Sequence, residues 1–182
     1  MIKGVCNFIA VFLAFALLLS CSDKQDFNQL DDLQVTPTYE TSVFYVKAQE
    51  SIINRISGIS FFSQDFNFDA FAEPVFANRV LSGVLTYELE NTTSKPIEIV
   101  LEFLDENDNV LDTEVFRTDA APTATLTRNV AYGPAGKNLE IIRNTSKIRL
   151  NATNLGDNDS ESSLPDPAII LRSSAKFTLE VR

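Results

Sequence analysis

Two acidic stretches have the residue types and the spacing that could bind a metal ion. Asp105, Asn107 and Asn109 stand at positions i, i+2 and i+4, the spacing of the first oxygen ligands of a calcium-binding loop. The pattern then breaks, because Val110 stands where such a loop needs glycine, and the stretch 157–161 breaks in a similar way. We therefore predict two solvated turns and no metal site. Weak calcium binding would require the two loops to meet at one end of the fold.

The rest of the composition excludes several kinds of catalysis. The chain has no histidine and two cysteines, Cys6 and Cys21. Cysteine–histidine zinc sites, Ser-His-Asp triads and imidazole acid–base catalysis are therefore excluded. An enzyme built from this chain would depend on carboxylates, lysine, tyrosine or an oxygen-ligated metal. The chain has 25 acidic residues, and no pair stands out as in a glycosidase, so we predict a non-enzymatic protein without a cofactor.

The amino-terminal segment has the pattern of a secretory signal. One lysine, Lys3, precedes an uncharged apolar run over 8–20, and a small residue, Ser20, ends that run. The run has 13 residues, whereas a bilayer-spanning helix needs roughly 20. A signal peptide over 1–20 is therefore favoured over a membrane-spanning helix.

The four residues Leu18-Leu19-Ser20-Cys21 at the end of this run resemble the lipobox of bacterial lipoproteins. The resemblance implies that the signal is cut before Cys21, whose thiol takes a diacylglycerol and whose new amine takes an acyl chain such as palmitate. Ser22, in place of aspartate, is similar to the pattern that sends enterobacterial lipoproteins to the outer membrane. The resemblance thus implies an outer-membrane lipoprotein held by its lipid, on either the surface or the periplasmic face.

The charge of the mature chain restricts its partners. Removing residues 1–20 takes away one lysine and no acid, which leaves 14 basic and 25 acidic side chains and a net charge of −11. Such a chain is a poor partner for nucleic acid, because binding to phosphate depends on cationic side chains. Residues 21–40 are polar and acidic and are predicted to form a tether between the lipid and the folded domain.

The remaining residues, 41–182, show the pattern of an all-β domain. Short runs of alternating apolar and polar residues are separated by turn residues, and no stretch keeps a helical period over ten residues. This alternation places Leu85, Tyr87 and Leu89 on one face of a predicted strand, and it does the same in the next strand for Ile97, Ile99, Leu101 and Phe103. We predict an antiparallel β-sandwich and one short helical turn over 138–144. The segment 81–116, with the turn Asn-Thr-Thr-Ser-Lys-Pro, resembles immunoglobulin-like or fibronectin-type bacterial domains, which implies an immunoglobulin-like sandwich. The strands are predicted at 43–46, 52–62 with a bend at Gly58, 80–90, 97–104, 110–116, 123–132, 147–154 and 169–181.

Six of the fourteen phenylalanines are concentrated in the stretch 61–76. Phenylalanine is mostly buried, so this connection could fold over an open end of the sandwich. Alternatively, its aromatic side chains could anchor the docking of another protein. The candidate partner-binding residues are Phe61, Phe62, Phe66, Phe68, Phe71 and Phe76.

Three functions are compatible with these patterns. The first is a non-enzymatic, lipid-anchored module that binds a protein or an envelope polymer. The second is an accessory ligand-binding lipoprotein of an uptake system, which would show tyrosine or phenylalanine beside converging aspartate, asparagine or arginine. The third and least favoured is a carboxylate-based hydrolase, which would need two acids facing each other across a cleft.

Overall fold

The computed structural model describes residues 35–56, 60–68, 74–121 and 123–180 of the chain. The chain divides into two units, Met1–Gln34 and Val35–Arg182, and every described residue belongs to the second. The predicted signal segment and Cys21 therefore lie outside the described residues. The strands of the second unit are β1 (Thr38–Gln49), β2 (Ser60–Asn67), β3 (Val80–Asn91), β4 (Ile97–Leu104), β5 (Val110–Thr118), β6 (Leu126–Tyr132), β7 (Lys147–Asn154) and β8 (Ala168–Leu179).

Three short helices connect some of these strands: α1 (Glu50–Ile53), α2 (Pro74–Ala77) and α3 (Leu139–Asn144). The predicted helical turn at 138–144 is confirmed by α3, whose first turn is capped by the Asn138 side chain accepting from the Glu140 N–H at 3.0 Å. Among the described residues, no helix has the length and apolar character needed to cross a bilayer.

The eight strands form two antiparallel four-stranded sheets. Sheet A has the order β1-β8-β3-β6, and sheet B has the order β2-β7-β4-β5. Each of the first four strands pairs with one of the last four: β1 with β8, β2 with β7, β3 with β6 and β4 with β5. These pairings are those of one long antiparallel ribbon. Rolling that ribbon brings β8 against β3 and β7 against β4. This is the double-sheet, eight-stranded arrangement of a jelly roll.

The predicted antiparallel β-sandwich is therefore confirmed, but its immunoglobulin-like topology is not. In an immunoglobulin sandwich the first two strands lie in the same sheet, whereas β1 and β2 lie in different sheets here. The physical reason is that alternation along a strand reports which side chains face inward. It does not report which strands pair, because pairing depends on residues that are distant in sequence.

Alternating side chains build the core between the two sheets. Ile97, Ile99, Leu101 and Phe103 of β4 all face the interior and are at most 2% exposed, as their spacing predicts. On β3 the inward positions include Leu85, Tyr87 and Leu89, again as predicted. Each such aliphatic or aromatic side chain contributes about 1.5–3 kcal/mol through burial.

The open sides of the sandwich are closed in two different ways. On the side where β1 and β2 form the sheet edges, the rings of Phe44 and Phe66 stack with centroids 5.0 Å apart. On the side where β5 and β6 form the edges, polar side chains meet. There the Tyr132 hydroxyl donates to Asp112 at 3.3 Å, and the Arg128 guanidinium donates to Glu114 at 3.2 Å. One side is thus apolar and the other is ionic.

One predicted strand is wrong. The stretch 52–62 is not continuous, because residues 50–53 form α1 and β2 begins at Ser60. The helical turn buries Ile53 completely and places the Glu50 carboxylate against backbone N–H groups of two other loops. These tertiary contacts outweigh the strand preference of its isoleucines. Gly58, the predicted bend, lies outside the described residues.

Two strand starts also differ from the prediction. Strand β1 spans Thr38–Gln49, which extends beyond the predicted strand 43–46 at both ends and begins upstream of the predicted domain start at residue 41. Strand β6 begins at Leu126 rather than at residue 123. The other predicted strands agree with the structure to within a few residues at their described ends.

Leu101→Ala tests the core assignment against a matched leucine at the surface. Leu101 is fully buried, so its truncation should lower the free energy of unfolding by about 3 kcal/mol. Leu81 is 40% exposed, and Leu81→Ala should change it by less than about 0.5 kcal/mol. Urea unfolding of the purified protein measures both values, and equal losses would contradict the packing described here.

Candidate functional site

The acidic loop 105–109 is held together by its own side chains. The Asp105 carboxylate accepts hydrogen bonds from the N–H groups of Asn107 and Asn109 at 2.8 and 2.9 Å, and from the Asn109 side chain at 2.9 Å. The bonds from Asn109, with the Asn107 N–H, hold the pKa of Asp105 below its usual value. Asp108 adopts the left-handed conformation, with φ of 65°, and pairs with Lys147. These contacts shape a tight hairpin turn.

The second acidic loop, 157–161, is organised around Asp157. Its carboxylate accepts from the Lys95 ammonium at 2.6 Å, from the Ser160 N–H at 2.7 Å and from the Asp159 N–H at 3.0 Å. The Lys95 bond, followed by the bonds from Ser160 and Asp159, holds the pKa of Asp157 far below its usual range. Lys95 is itself completely buried, so Asp157 supplies its counter-charge.

The two acidic loops lie at opposite ends of β4. The first directly follows Leu104, and the second binds Lys95, just before Ile97. Eight extended residues separate these ends by about 25 Å. A calcium site shared by the two loops is therefore excluded by their positions. Among the described residues, no group of three or more acidic side chains is placed to hold a metal ion.

The predicted aromatic segment packs largely into the sandwich. Phe61 and Phe68 are each 7% exposed, and Phe62, Phe66 and Phe76 pack against the same core. Their ring contacts include the Phe66–Phe44 stack and an edge contact between Phe76 and Phe177 at 6.1 Å. Phe71 lies outside the described residues. Core packing thus accounts for the five described phenylalanines, and docking of a partner through this segment stays a prediction.

Two acids that sequence reasoning did not single out come together on the ionic side. Asp112 and Glu114 of β5 both accept from the Lys137 ammonium at 2.6 Å. Burial alone would lower the pKa of Lys137, but these hydrogen bonds raise it above its usual value. Arg128 also pairs with Glu114, so two acids meet two cations. Because both acids hold one ammonium, the arrangement is a charge-balanced closure of the sandwich rather than an acid pair across a cleft.

Glu50 forms a second buried polar contact, at the end of the sandwich where β1 finishes. The Glu50 side chain is 2% exposed, and its carboxylate accepts from the N–H and hydroxyl of Ser94, each at 2.6 Å, and from the Ser162 N–H at 2.9 Å. Burial alone would raise the pKa of Glu50, but these hydrogen bonds and the charge of Lys95 lower it. Glu50 thus ties α1 to the turn 92–96 and to the loop 155–167.

A shallow groove of about 370 Å³ lies on sheet A, across β1, β8 and β3. We call it the Tyr45 groove, because Tyr45 is its exposed aromatic residue, at 56% exposure. The Arg172 guanidinium lies 5.8 Å from the centre of the Tyr45 ring. The residues that line the groove are Ser42, Val43, Phe44, Tyr45, Thr86, Glu88, Arg172, Ser173 and Ser174.

Sequence reasoning missed this groove, although one local signal was present. Tyr45 and Lys47 alternate with the inward-facing Phe44, Val46 and Ala48, which places Tyr45 on the outer face of its strand. Arg172 and Glu88 lie far away in sequence, and only strand pairing brings them level with Tyr45. The groove therefore depends on the register of three strands.

No protein-family model and no curated protein sequence matches the chain. A solved structure of the infectious bursal disease virus VP2 subviral particle is similar over 79% of this chain and 32% of its own, with 12% identity and a TM-score of 0.38. This chain thus spans about a third of that protein's length. Desmodium yellow mottle tymovirus matches over 81% of this chain and 84% of its own (8% identity, TM-score 0.38). Turnip yellow mosaic virus matches over 82% of both chains (8% identity, TM-score 0.35).

Glu50→Gln tests whether the buried carboxylate ties the loops together. At pH 7 the variant should unfold with about 2 kcal/mol less free energy, because a carboxamide cannot accept all three hydrogen bonds. The folded-state pKa of Glu50 is lowered, so the wild-type advantage should be complete above about pH 4.5 and shrink as the pH falls through that lower value.

Glu161→Gln is the matched control, since Glu161 is exposed beside the same loop. Its unfolding free energy should stay close to that of the wild type at every pH. Urea titrations between pH 3 and 7 distinguish the two variants, and a Glu50→Gln defect that does not change with pH would contradict the role of the charge.

Proposed function

We propose that this chain is a non-enzymatic lipoprotein of the outer membrane that binds a protein or an envelope polymer. In this proposal Cys21 carries the lipid, the residues that follow it form the tether, and the sandwich is the binding module. The four-residue match at Leu18-Leu19-Ser20-Cys21 supports the lipid anchor. The net charge of −11 after signal removal also favours a covalent anchor, because anionic membrane surfaces repel such a chain.

One observation supports the binding role: four acids near the loops and edges have structural partners, whereas the Tyr45 groove is open to solvent. Glu50, Asp157 and the pair Asp112 and Glu114 all have structural partners. The Tyr45 groove, in contrast, presents an exposed ring and hydroxyl groups at the surface. A surface with an accessible aromatic ring and a few polar groups is typical of a recognition site.

A second candidate function is that of an accessory ligand-binding lipoprotein in an uptake system. The specific observation that favours it is the convergence of Tyr45, Arg172 and Glu88 on one groove. A carboxylate-based hydrolase has less support, because the acid pair Asp112 and Glu114 is bound by the single ammonium of Lys137.

Cys21→Ser tests the anchor. Several acyl chains on one cysteine hold a protein firmly, at about 0.8 kcal/mol for each buried methylene, so their loss should move the protein from the membrane to the soluble fraction. Cys6→Ser is the matched control, because Cys6 belongs to the predicted signal, and that variant should still sediment with membranes. Cell fractionation and immunoblotting measure both, and membrane association of Cys21→Ser would contradict the anchor.

Protease treatment of intact cells tests on which face of the outer membrane the domain lies, and therefore which partners it can reach. An accessory protein of a surface uptake system should be digested while the outer membrane is intact. A periplasmic envelope-binding module should be digested only after the outer membrane is opened. An abundant periplasmic protein in the same samples reports whether the membrane stayed closed.

A further inference from the structure

We propose that the Tyr45 groove binds an uncharged glycan chain laid across the strands of sheet A. This inference rests on the proposed function, since it names the kind of envelope polymer that the module would hold. It follows from three features of the groove: a row of small polar side chains, an exposed aromatic ring beside that row, and a local balance of charge.

A row of small polar residues crosses sheet A, one from each strand, and its members on β1, β8 and β3 line the groove. Ser42 is paired with Ser174, Ser174 with Thr86, and Thr86 with Asn129. The Thr86 hydroxyl donates to the Asn129 side chain at 2.9 Å, so the members of the row on β3 and β6 are in contact. Four strands place the ends of the row about 14 Å apart. A linear polymer that carries hydroxyl groups could form hydrogen bonds along this row.

The next row supplies the aromatic residue. Tyr45 is paired with Arg172, and Arg172 with Glu88. A tyrosine ring offers an apolar face on which the C–H face of a sugar ring can lie, while its hydroxyl remains in water. Arginine and glutamate beside it provide a donor and an acceptor for sugar hydroxyls.

A β-bulge puts these two rows next to each other. Side chains alternate along a strand, so residues 42 and 45 would normally face opposite sides of the sheet. The pairing of β1 with β8 shifts between Ser42 and Phe44, which adds one residue and brings Ser42 and Tyr45 onto the same face. Bulges of this kind re-aim side chains and often lie beside functional sites.

The charges around the groove favour a neutral ligand. Three acids (Glu40, Glu88 and Glu90) and three cations (Lys47, Arg172 and Lys176) lie on the outer face of β1, β3 and β8. Arg172 and Glu90 approach to 3.6 Å. This face is therefore neutral on a chain whose net charge is −10. A polyanion would find no cationic excess there, and a cationic peptide would find no acidic excess.

Native affinity electrophoresis of the detergent-solubilised full chain tests the proposal. The probes in the gel are a soluble neutral glucan, a neutral mannan and a neutral xylan, with polygalacturonate as the charged counterpart. We expect at least one neutral polysaccharide to retard the wild type. Tyr45→Ala should weaken this binding about tenfold, as expected for the loss of an aromatic anchor.

Tyr39→Ala is the matched control. Tyr39 lies on the same strand and is 54% exposed, but it does not line the groove, so this variant should bind like the wild type. Ser174→Tyr, which fills the groove without removing the Tyr45 ring, should abolish retardation. Circular dichroism confirms that each variant is folded before it is compared.

Three results would overturn the proposal. These are a lack of retardation by every neutral polysaccharide, retardation by polygalacturonate alone, and equal retardation of Tyr45→Ala and Tyr39→Ala. The outcome is independent of the anchor test. If the chain sediments with membranes through Cys21 but binds none of the neutral polysaccharides, the proposed function stands and the proposal of a glycan ligand is wrong.

Discussion

The central position of β8 in sheet A is the constraint on which the rest of the structure depends. This strand pairs along its length with both β1 and β3, so the first and the last of the described strands lie side by side in one sheet. Among the described strands, β8 is the one that pairs with β1 in sheet A. Such contacts are distant in sequence, and their loop-closure cost makes folds of this type slow to form. The same strand supplies Arg172 and Ser174 to the Tyr45 groove.

The two sheets also require closure at their open sides, and the chemistry of each closure differs. Phe44 and Phe66 close one side by burying apolar surface. Lys137, with Arg128 and the acids Asp112 and Glu114, closes the other with matched charges. Of these groups Glu114 is buried, and its carboxylate is tolerated there because Lys137 and Arg128, which are themselves more than a third exposed, both pair with it. Asp112 and Glu114 therefore serve to stabilise the fold.

Their structural role distinguishes these acids from surface groups that can bind a ligand. Glu50 and Asp157 hold the loops at one end of the sandwich, and Asp105 shapes the hairpin at the other. The Tyr45 groove differs because its floor consists of small polar side chains at the surface and its charges are balanced. A binding module that uses this face would keep its fold and its recognition surface largely independent.

The sequence by itself determined the all-β class and most strand positions, because alternation is a local property. Strands β4 and β7 were predicted with the bounds that the structure shows, and Ile97, Ile99, Leu101 and Phe103 were assigned to one inward face. The lipid anchor at Cys21 also follows from local sequence, and it stays a prediction.

Only the tertiary structure decided the jelly-roll topology, the helical turn at Glu50, the Lys137 network and the Tyr45 groove. Each of these depends on residues brought together from distant parts of the chain. Local alternation places Tyr45 on an outer face, but the bulge beside it and the register of β8 decide which side chains lie next to it. Pairing and register are set by the summed contacts of all the strands, and no single stretch of sequence contains that information.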